Sequence, residues 1–261
     1  MMKFFPFRLR KGTQPAFPRG KTGNRCYAIG DVHGCIDQLR DLLGEIERDN
    51  AARPPADKVF VVMLGDLIDR GPDSKGVIDL LRSTPLPFAN FIFLAGNHEE
   101  LFVRILSGED DLLPRWLVFG GRECALSYGV DEACLLDGAP EDQAAALRAA
   151  VPDEHVAFLE TFRDGFRFGD YLFVHAGIRP GVPLAEQDIS DLRWIRDDFL
   201  DCPADHGVVV VHGHTIFDEP DDQGNRIGID TGAYRTGRLT AIGIEEGDRW
   251  YLSVEGEPSY F

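Results

Sequence analysis

Several things are missing from these 261 residues, and each absence removes a class of function. No apolar run approaches the ~20 residues that a helix needs to cross a bilayer, so a helical membrane span is not expected. Basic charge is scarce: 27 Lys and Arg against 44 Asp and Glu leave a formal net charge of −17. A chain that displaces counterions from nucleic acid needs the opposite balance, so no nucleic acid partner is expected. Cysteine is sparse and poorly placed for a disulfide framework. Cys26, Cys35, Cys124, Cys134 and Cys202 are odd in number and irregularly spaced, which predicts reduced thiols and a cytoplasmic location. None is followed by Arg six positions later, so the phosphate cradle of cysteine-dependent phosphatases is absent. CxxC pairs, a GxSxG elbow and a GxxxxGK loop are absent too.

What remains is an ordinary globular composition, 44% hydrophobic and 10% aromatic, in a chain long enough for one good core with an insertion. Residues 1–25 carry seven Lys or Arg and no acid, which leaves the rest at −24. This stretch is punctuated by Pro and Gly and lacks the apolar core of a signal peptide. It reads as a flexible basic tail before a single domain over 26–261. A weak membrane-surface or partner contact through Phe4, Phe5 and Phe7 is its alternative role.

Five short apolar runs stand out: "CYAIG" (26–30), "KVFVVMLG" (58–65), "NFIFLAG" (90–96), "YLFVHAG" (171–177) and "GVVVVHG" (207–213). Rich in β-branched and aromatic residues and without alternation, they predict strands buried on both faces. Helical spacing follows the first three, at Ile36, Leu39, Leu42, Leu43 and Ile46, at Val77, Ile78, Leu80 and Leu81, and at Leu101, Phe102, Ile105 and Leu106. This β-α-β-α-β-α order implies parallel strands joined by crossover helices. Residues 107–165 break the rhythm with mostly helical material and read as an inserted cap. "EQDISDLRWIRDDFL" predicts one more helix. "RIGIDTGA", "RLTAIGIEEGD" and "RWYLSVEG" predict antiparallel strands. The expected fold class is α/β, with two sheets packed face to face and helices outside.

Each of the five runs ends on polar residues: "GDVHG" (30–34), "GDLIDRG" (65–71), "GNHE" (96–99), "HAG" (175–177) and "HGHT" (212–215). The carboxyl ends of parallel strands share an edge where ligands bind, so these clusters are expected to converge. Asp, Asn and His without thiolate form a mixed O/N donor set that suits Mn²⁺, Fe or Zn²⁺. Six donors exceed the needs of one tetrahedral ion and suffice for two ions ~3.5–4 Å apart sharing a carboxylate. Singly, each cluster has a bland reading, such as a turn, a helix start or a core histidine; five in order, each after a buried strand, do not.

This series resembles the phosphoprotein phosphatase branch of the calcineurin-like metallophosphoesterases, bacterial serine/threonine protein phosphatases in particular, over about residues 25–255. The resemblance implies a four-layer αββα sandwich of two mixed sheets with a small helical cap and two divalent metals, Mn²⁺ first among them. It implies that Asp31 and His33 bind one metal, Asp66 bridges, and Asn97, His175 and His214 bind the other. His98 would be the acid beside the leaving group, oriented by Asp69. Arg70, Arg196 and Asn97 would hold the phosphate, and a metal-bridging hydroxide would attack in line. His212 and Tyr234 are further candidates for contacts behind the ligands. Glu99 is expected to cap its helix, and His155 and His206 to be solvated. The fourth motif is HAG where many eukaryotic members have HGG, and their inhibitor loop is missing.

The function expected first is a two-metal protein serine/threonine phosphatase acting on phosphoproteins or phosphopeptides. The alternative is a symmetrical diadenosine tetraphosphate hydrolase using the same metals. A third reading, a catalytically dead scaffold, would be marked by lost ligands, and none of the expected ligands is replaced.

Overall fold

The computed structural model describes residues 17–259, so most of the expected tail, residues 1–16, lies outside the described residues. The tail's remaining part is anchored at several points: strand β1 begins at Asn24, Gly20 donates its amide to the Glu246 carbonyl, and Arg25 is 1% exposed. Buried Arg25 bonds Glu245 through two nitrogens and also reaches Asn50 and the Pro54 carbonyl, so its charge is matched where water cannot reach.

The first half alternates as its periodicity predicts. Strands β1 (Asn24–Ile29), β2 (Lys58–Met63) and β3 (Ala89–Phe93) are joined by helices α1 (Ile36–Ala52) and α2 (Ser74–Arg82), and α3 (Asn97–Leu106) follows. β1, β2 and β3 pair in parallel. A C-terminal hairpin, β9 (Arg238–Glu245) and β10 (Asp248–Glu255), adds antiparallel to β1 and gives the order β10-β9-β1-β2-β3. The second sheet, β4-β5-β6-β8-β7, contains β4 (Phe166–Phe168), β5 (Tyr171–Phe173), β6 (Val209–His212), β7 (Asp221–Asp222) and β8 (Arg226–Gly228). One expectation is met only in part: β8, in "RIGIDTGA", is antiparallel to β7 but parallel to β6. The five apolar runs therefore fall three to one sheet and two to the other, and the polar ends meet across two rims.

Strand alternation explains the layering. Tyr27 and Ile29 of β1 face α1–α3, whereas Cys26 and Ala28 face the second sheet, where they pack with Phe173, Val211 and Ile227. The outer face of the second sheet, with Leu172 and Val210, is covered by Leu192 and Phe199. The result is helices, sheet, sheet, helices. The predicted helix over "EQDISDLRWIRDDFL" is two short ones, α9 (Ile189–Trp194) and α10 (Asp197–Leu200), interrupted where Ile195 and Arg196 leave helical geometry. Residues 107–165 carry α4 (Leu113–Trp116), a turn over Leu117–Gly121 kinked at Gly120 (φ 105°), α5 (Arg122–Ser127), α6 (Glu132–Asp137), α7 (Pro140–Ala150) and α8 (Asp153–Leu159). Far from being solvated, His155 of α8 is 1% exposed. His206 is half-buried against Phe199.

Candidate metal centre

The five polar clusters do meet. Asp66, at the end of β2, places Oδ2 3.6 Å from His33 Nε2, 3.9 Å from His98 Nε2 and 3.4 Å from His175 Nε2. His175 Nε2 is also 3.0 Å from Asn97 Oδ1 and 3.1 Å from His214 Nδ1. Two overlapping groups of possible ligands result, His33–Asp66–His98 and Asp66–His175–His214, all buried. Asp66 belongs to both. Asp31 joins neither: its Oδ2 accepts the His214 amide at 2.9 Å, while buried Oδ1 has no hydrogen-bond partner. His98 sits inside the first group.

The histidine tautomers follow from what their other nitrogens touch. His33 Nδ1 lies 2.8 Å from the Ile68 carbonyl and His175 Nδ1 2.9 Å from the Leu64 carbonyl. A carbonyl only accepts, so each Nδ1 carries the proton and each Nε2 presents a lone pair to the centre. Those lone pairs face Asp66 and Asn97 oxygens, and His214 Nε2 and Asp31 Oδ1 are buried without partners. Acceptors crowded on acceptors are the arrangement a cation satisfies, so the donor set fits divalent metal. One neighbour competes: Arg70 Nη1 donates to His33 Nε2 at 2.9 Å, and a cation there requires the guanidinium to swing aside.

Charge follows the same geometry. Burial, then repulsion from Asp230 and Asp66, pushes the Asp31 carboxyl well above the usual range. Asp66 is buried as well, but the surrounding His175, His98 and His33 hold it well below. Burial lowers His33, and with the help of His175 it lowers His214 to about 2. These imidazoles are thus neutral and able to ligate. His98 differs: burial opposes its charge, yet Asp66 and Asp69 outweigh it and raise its pKa. Its Nδ1 lies 2.6 Å from Asp69 Oδ2, and its Nε2 faces the centre.

The backbone is strained where these side chains are aimed. Among the described residues seven non-glycines have positive φ, and five of them are His33, Asp66, Asp69, Arg70 and His214. Each costs of order 1 kcal/mol and persists only where surroundings impose it. Gly65, at φ 100°, is needed as glycine: a Cβ would stand 2.6 Å from the Gly96 nitrogen and 2.9 Å from His175 Nδ1. The turn at His214 also separates it from His212, which strand alternation would place on the same side. His212 packs between Phe199 and Phe217, with Nε2 unpartnered, and enters neither ligand group. Tyr234 does reach the site, its ring 5.2 Å from that of His33 and 5.0 Å from the Arg70 guanidinium carbon. Arg196 is exposed and donates to Thr215 Oγ1 at 3.3 Å, beside His214.

Three residues escaped the sequence reading in whole or part. Glu99 accepts the Gly96 amide at its own helix start, as expected of a cap. It also accepts the Asp66 and Leu67 amides at 2.9 and 2.7 Å, clamping the "GDLIDRG" loop to α3. Asp230, in "DTGA", is buried beside the centre, and its pKa is raised to about 6 by burial, against the Gly232 amide bond and with help from Asp66. Trp116 of the cap donates Nε1–H to Asp69 at 2.8 Å. An acid after a strand was a usable signal for Asp230; a tryptophan in a helical insertion gave none.

The family model described as calcineurin-like phosphoesterase matches residues 25–236. Serine/threonine-protein phosphatase 1 of Salmonella typhimurium is 28% identical over 232 residues, covering 86% of this chain and 94% of its own. An asymmetrical bis(5'-nucleosyl)-tetraphosphatase of Bacillus subtilis is 28% identical over 240 residues, covering 84% and 90%. A crystal structure titled as a candidate diadenosine tetraphosphatase superposes with a TM-score of 0.61 at 21% identity, covering 92% of this chain and 99% of that one. This last likeness speaks for the fold.

Proposed function

The chain belongs to the calcineurin-like phosphoesterase family and is a metallophosphoesterase, and we propose that it is a phosphomonoesterase removing phosphate from phosphoserine or phosphothreonine in proteins. The observation that carries the reading is one buried carboxylate, Asp66, ringed by three imidazole nitrogens at 3.4–3.9 Å, with an Asp–His pair alongside.

Asp66, His33, His175, His214 and Asn97 would hold two divalent cations, with Asp31 turning its free oxygen to the first. The O/N donor set suits Mn²⁺, with Fe or Zn²⁺ as other occupants. When bound, such a pair supplies Lewis-acid stabilisation of phosphate oxygens and lowers the pKa of water toward ~7. The chain's own groups do the rest. Arg70, beside His33, and Arg196, beside Thr215, can grip phosphate oxygens bidentately. His98, whose pKa Asp66 and Asp69 raise against burial, would deliver a proton from Nε2 to the departing alkoxide, the step an alkyl ester most needs. The strained backbone at His33, Asp66, Asp69 and Arg70 keeps these groups aimed before substrate arrives. The five unpaired thiols suit a reducing compartment, and cytoplasmic location is part of the same proposal. Among the described residues no helix is long and apolar enough to cross a membrane.

The full-length likeness to the Salmonella phosphatase supports the phosphoprotein reading; the Bacillus likeness supports a second, hydrolysis of dinucleoside polyphosphates. One experiment separates them: kcat/KM with Mn²⁺ for phosphoserine, phosphothreonine and phosphotyrosine peptides beside diadenosine tetraphosphate. A dinucleotide preference of a hundredfold would overturn the first reading.

A further inference from the structure

The proposed leaving-group acid is held by a residue of the cap. Trp116 is fully buried, its indole stacked on Phe102 with centroids 5.4 Å apart. Its Nε1–H donates at 2.8 Å to Asp69 Oδ2, the same oxygen that meets His98 Nδ1 at 2.6 Å. Asp69 is fully buried, at φ 72°, and its Oδ1 has no hydrogen-bond partner. Both hydrogen bonds to the carboxylate, from the imidazole and from the indole, thus fall on one oxygen, with the buried Cys124 thiol beside it. The indole is also packed against the turn after it, where Gly121 lies so close that a Cβ there would stand 2.2 Å from the ring. The same turn accepts the Arg70 amide on the Gly120 carbonyl at 2.9 Å.

We infer that Trp116 is a positioning residue for leaving-group protonation: it fixes the Asp69 carboxylate, and through it the His98 ring, so that the cap helps assemble the centre as well as cover it. Without the N–H donor the carboxylate can rotate about its Cβ–Cγ bond and His98 loses its fixed bearing. The cost falls on esters whose departing oxygen needs a proton. A serine alkoxide is such a group, and p-nitrophenolate, which leaves as a stable anion, is not.

This rests on the phosphomonoesterase reading, and its test separates the two. Wild type and Trp116→Phe, both loaded with Mn²⁺, are assayed on a phosphoserine peptide and on p-nitrophenyl phosphate. Trp116→Phe keeps the aromatic stack and removes the donor. The expected loss of kcat is about tenfold greater on the peptide than on the aryl ester, in line with outer partners of active-site groups, and KM changes little. In a His98→Asn background the same substitution is expected to add no further loss, because it acts only through that ring. Should Trp116→Phe fail to fold, Gly121→Ala, at an ordinary backbone φ and itself outside the site, crowds the indole, and the same ester-selective loss is expected. Equal losses on both esters, no loss on either, or additivity with His98→Asn would overturn the inference while leaving the enzyme reading intact. A wild type that cleaves neither ester with Mn²⁺, Zn²⁺ or Fe²⁺ removes the enzyme reading, and this inference falls with it.

Discussion

Two sets of buried histidines lie in this chain, and their ring nitrogens meet opposite company. In the cap, His155 Nε2 faces Asp79 Oδ1 at 2.9 Å and Nδ1 faces the Tyr128 hydroxyl at 3.0 Å. One neighbour accepts and the other donates, so a neutral ring is fully satisfied and α8 is tied to α2. At the sheet rims, His33 and His175 also satisfy Nδ1 on a carbonyl, but their Nε2 atoms converge on Asp66, whose oxygen accepts, with the Arg70 guanidinium at His33 as the donor between them. Burial is equal in the two sets. What marks the candidate ligands off is the company of Nε2: converging acceptor oxygens at the rims, one donor and one acceptor around the ring of His155, and two phenylalanine rings around His212.

The contrast breaks most visibly at Asp66. Asp66→Asn removes the charge common to both groups, and kcat on any phosphate ester is expected to fall by more than about 10³-fold, with metal content by elemental analysis falling too. Retained activity would show that the rim needs no shared carboxylate. His98→Asn is expected to cost about 10²–10⁴-fold on a phosphoserine peptide, with less loss of bound metal than Asp66→Asn. If both substitutions strip metal equally, His98 is a ligand and the acid must be sought elsewhere.

Stability sharpens the comparison further. Mn²⁺ at about 100 times its Kd should stabilise chelator-treated protein by about 2.7 kcal/mol, a rise in Tm of roughly 5–10 °C. A Tm indifferent to divalent metal counts against the ligand reading. Asp230 gives a pH signature. An acid whose folded pKa is raised contributes stability below its unfolded value of ~3.9 and loses it as pH climbs, here through about 6. Asp230→Asn should therefore raise the Tm of the metal-free protein by a few degrees above about pH 7, with the gain shrinking toward about pH 4. A gain that is the same at both ends would exclude titration as its cause. The smallest effect on catalysis is expected in the cap: Tyr128→Phe takes a hydrogen bond from buried His155, costing about 1–3 kcal/mol in denaturant unfolding, with kcat within about twofold of wild type.

Legibility followed the range of the interactions involved. The apolar runs 58–65 and 207–213 announced buried strands because β-branched side chains and nearby turns act locally, and α1–α3 were readable from spacing for the same reason. The donors were legible as strand-end clusters. Sheet membership was not: β8 carries no local mark of its parallel pairing with β6, since such pairing is decided by chain segments far apart. His155 looked polar and exposed in "DEHVAFLETF", and only the fold supplies the Tyr128 and Asp79 that bury it. The segment 17–25 looked like tail, yet Arg19 pairs with Glu246 and Arg25 with Glu245, partners more than 200 residues away.

By itself, then, the sequence determined which segments become strands and which donors stand at their ends, because both are written in residues that are neighbours along the chain. The tertiary structure alone decided that two sheets share those donors around Asp66, that His214 turns toward the centre while His212 turns into the core, and that a tryptophan of the cap reaches Asp69. Those outcomes depend on left-handed backbone at non-glycine residues and on contacts between distant segments. Neither has any local signature, and both are stable only once the whole domain has packed.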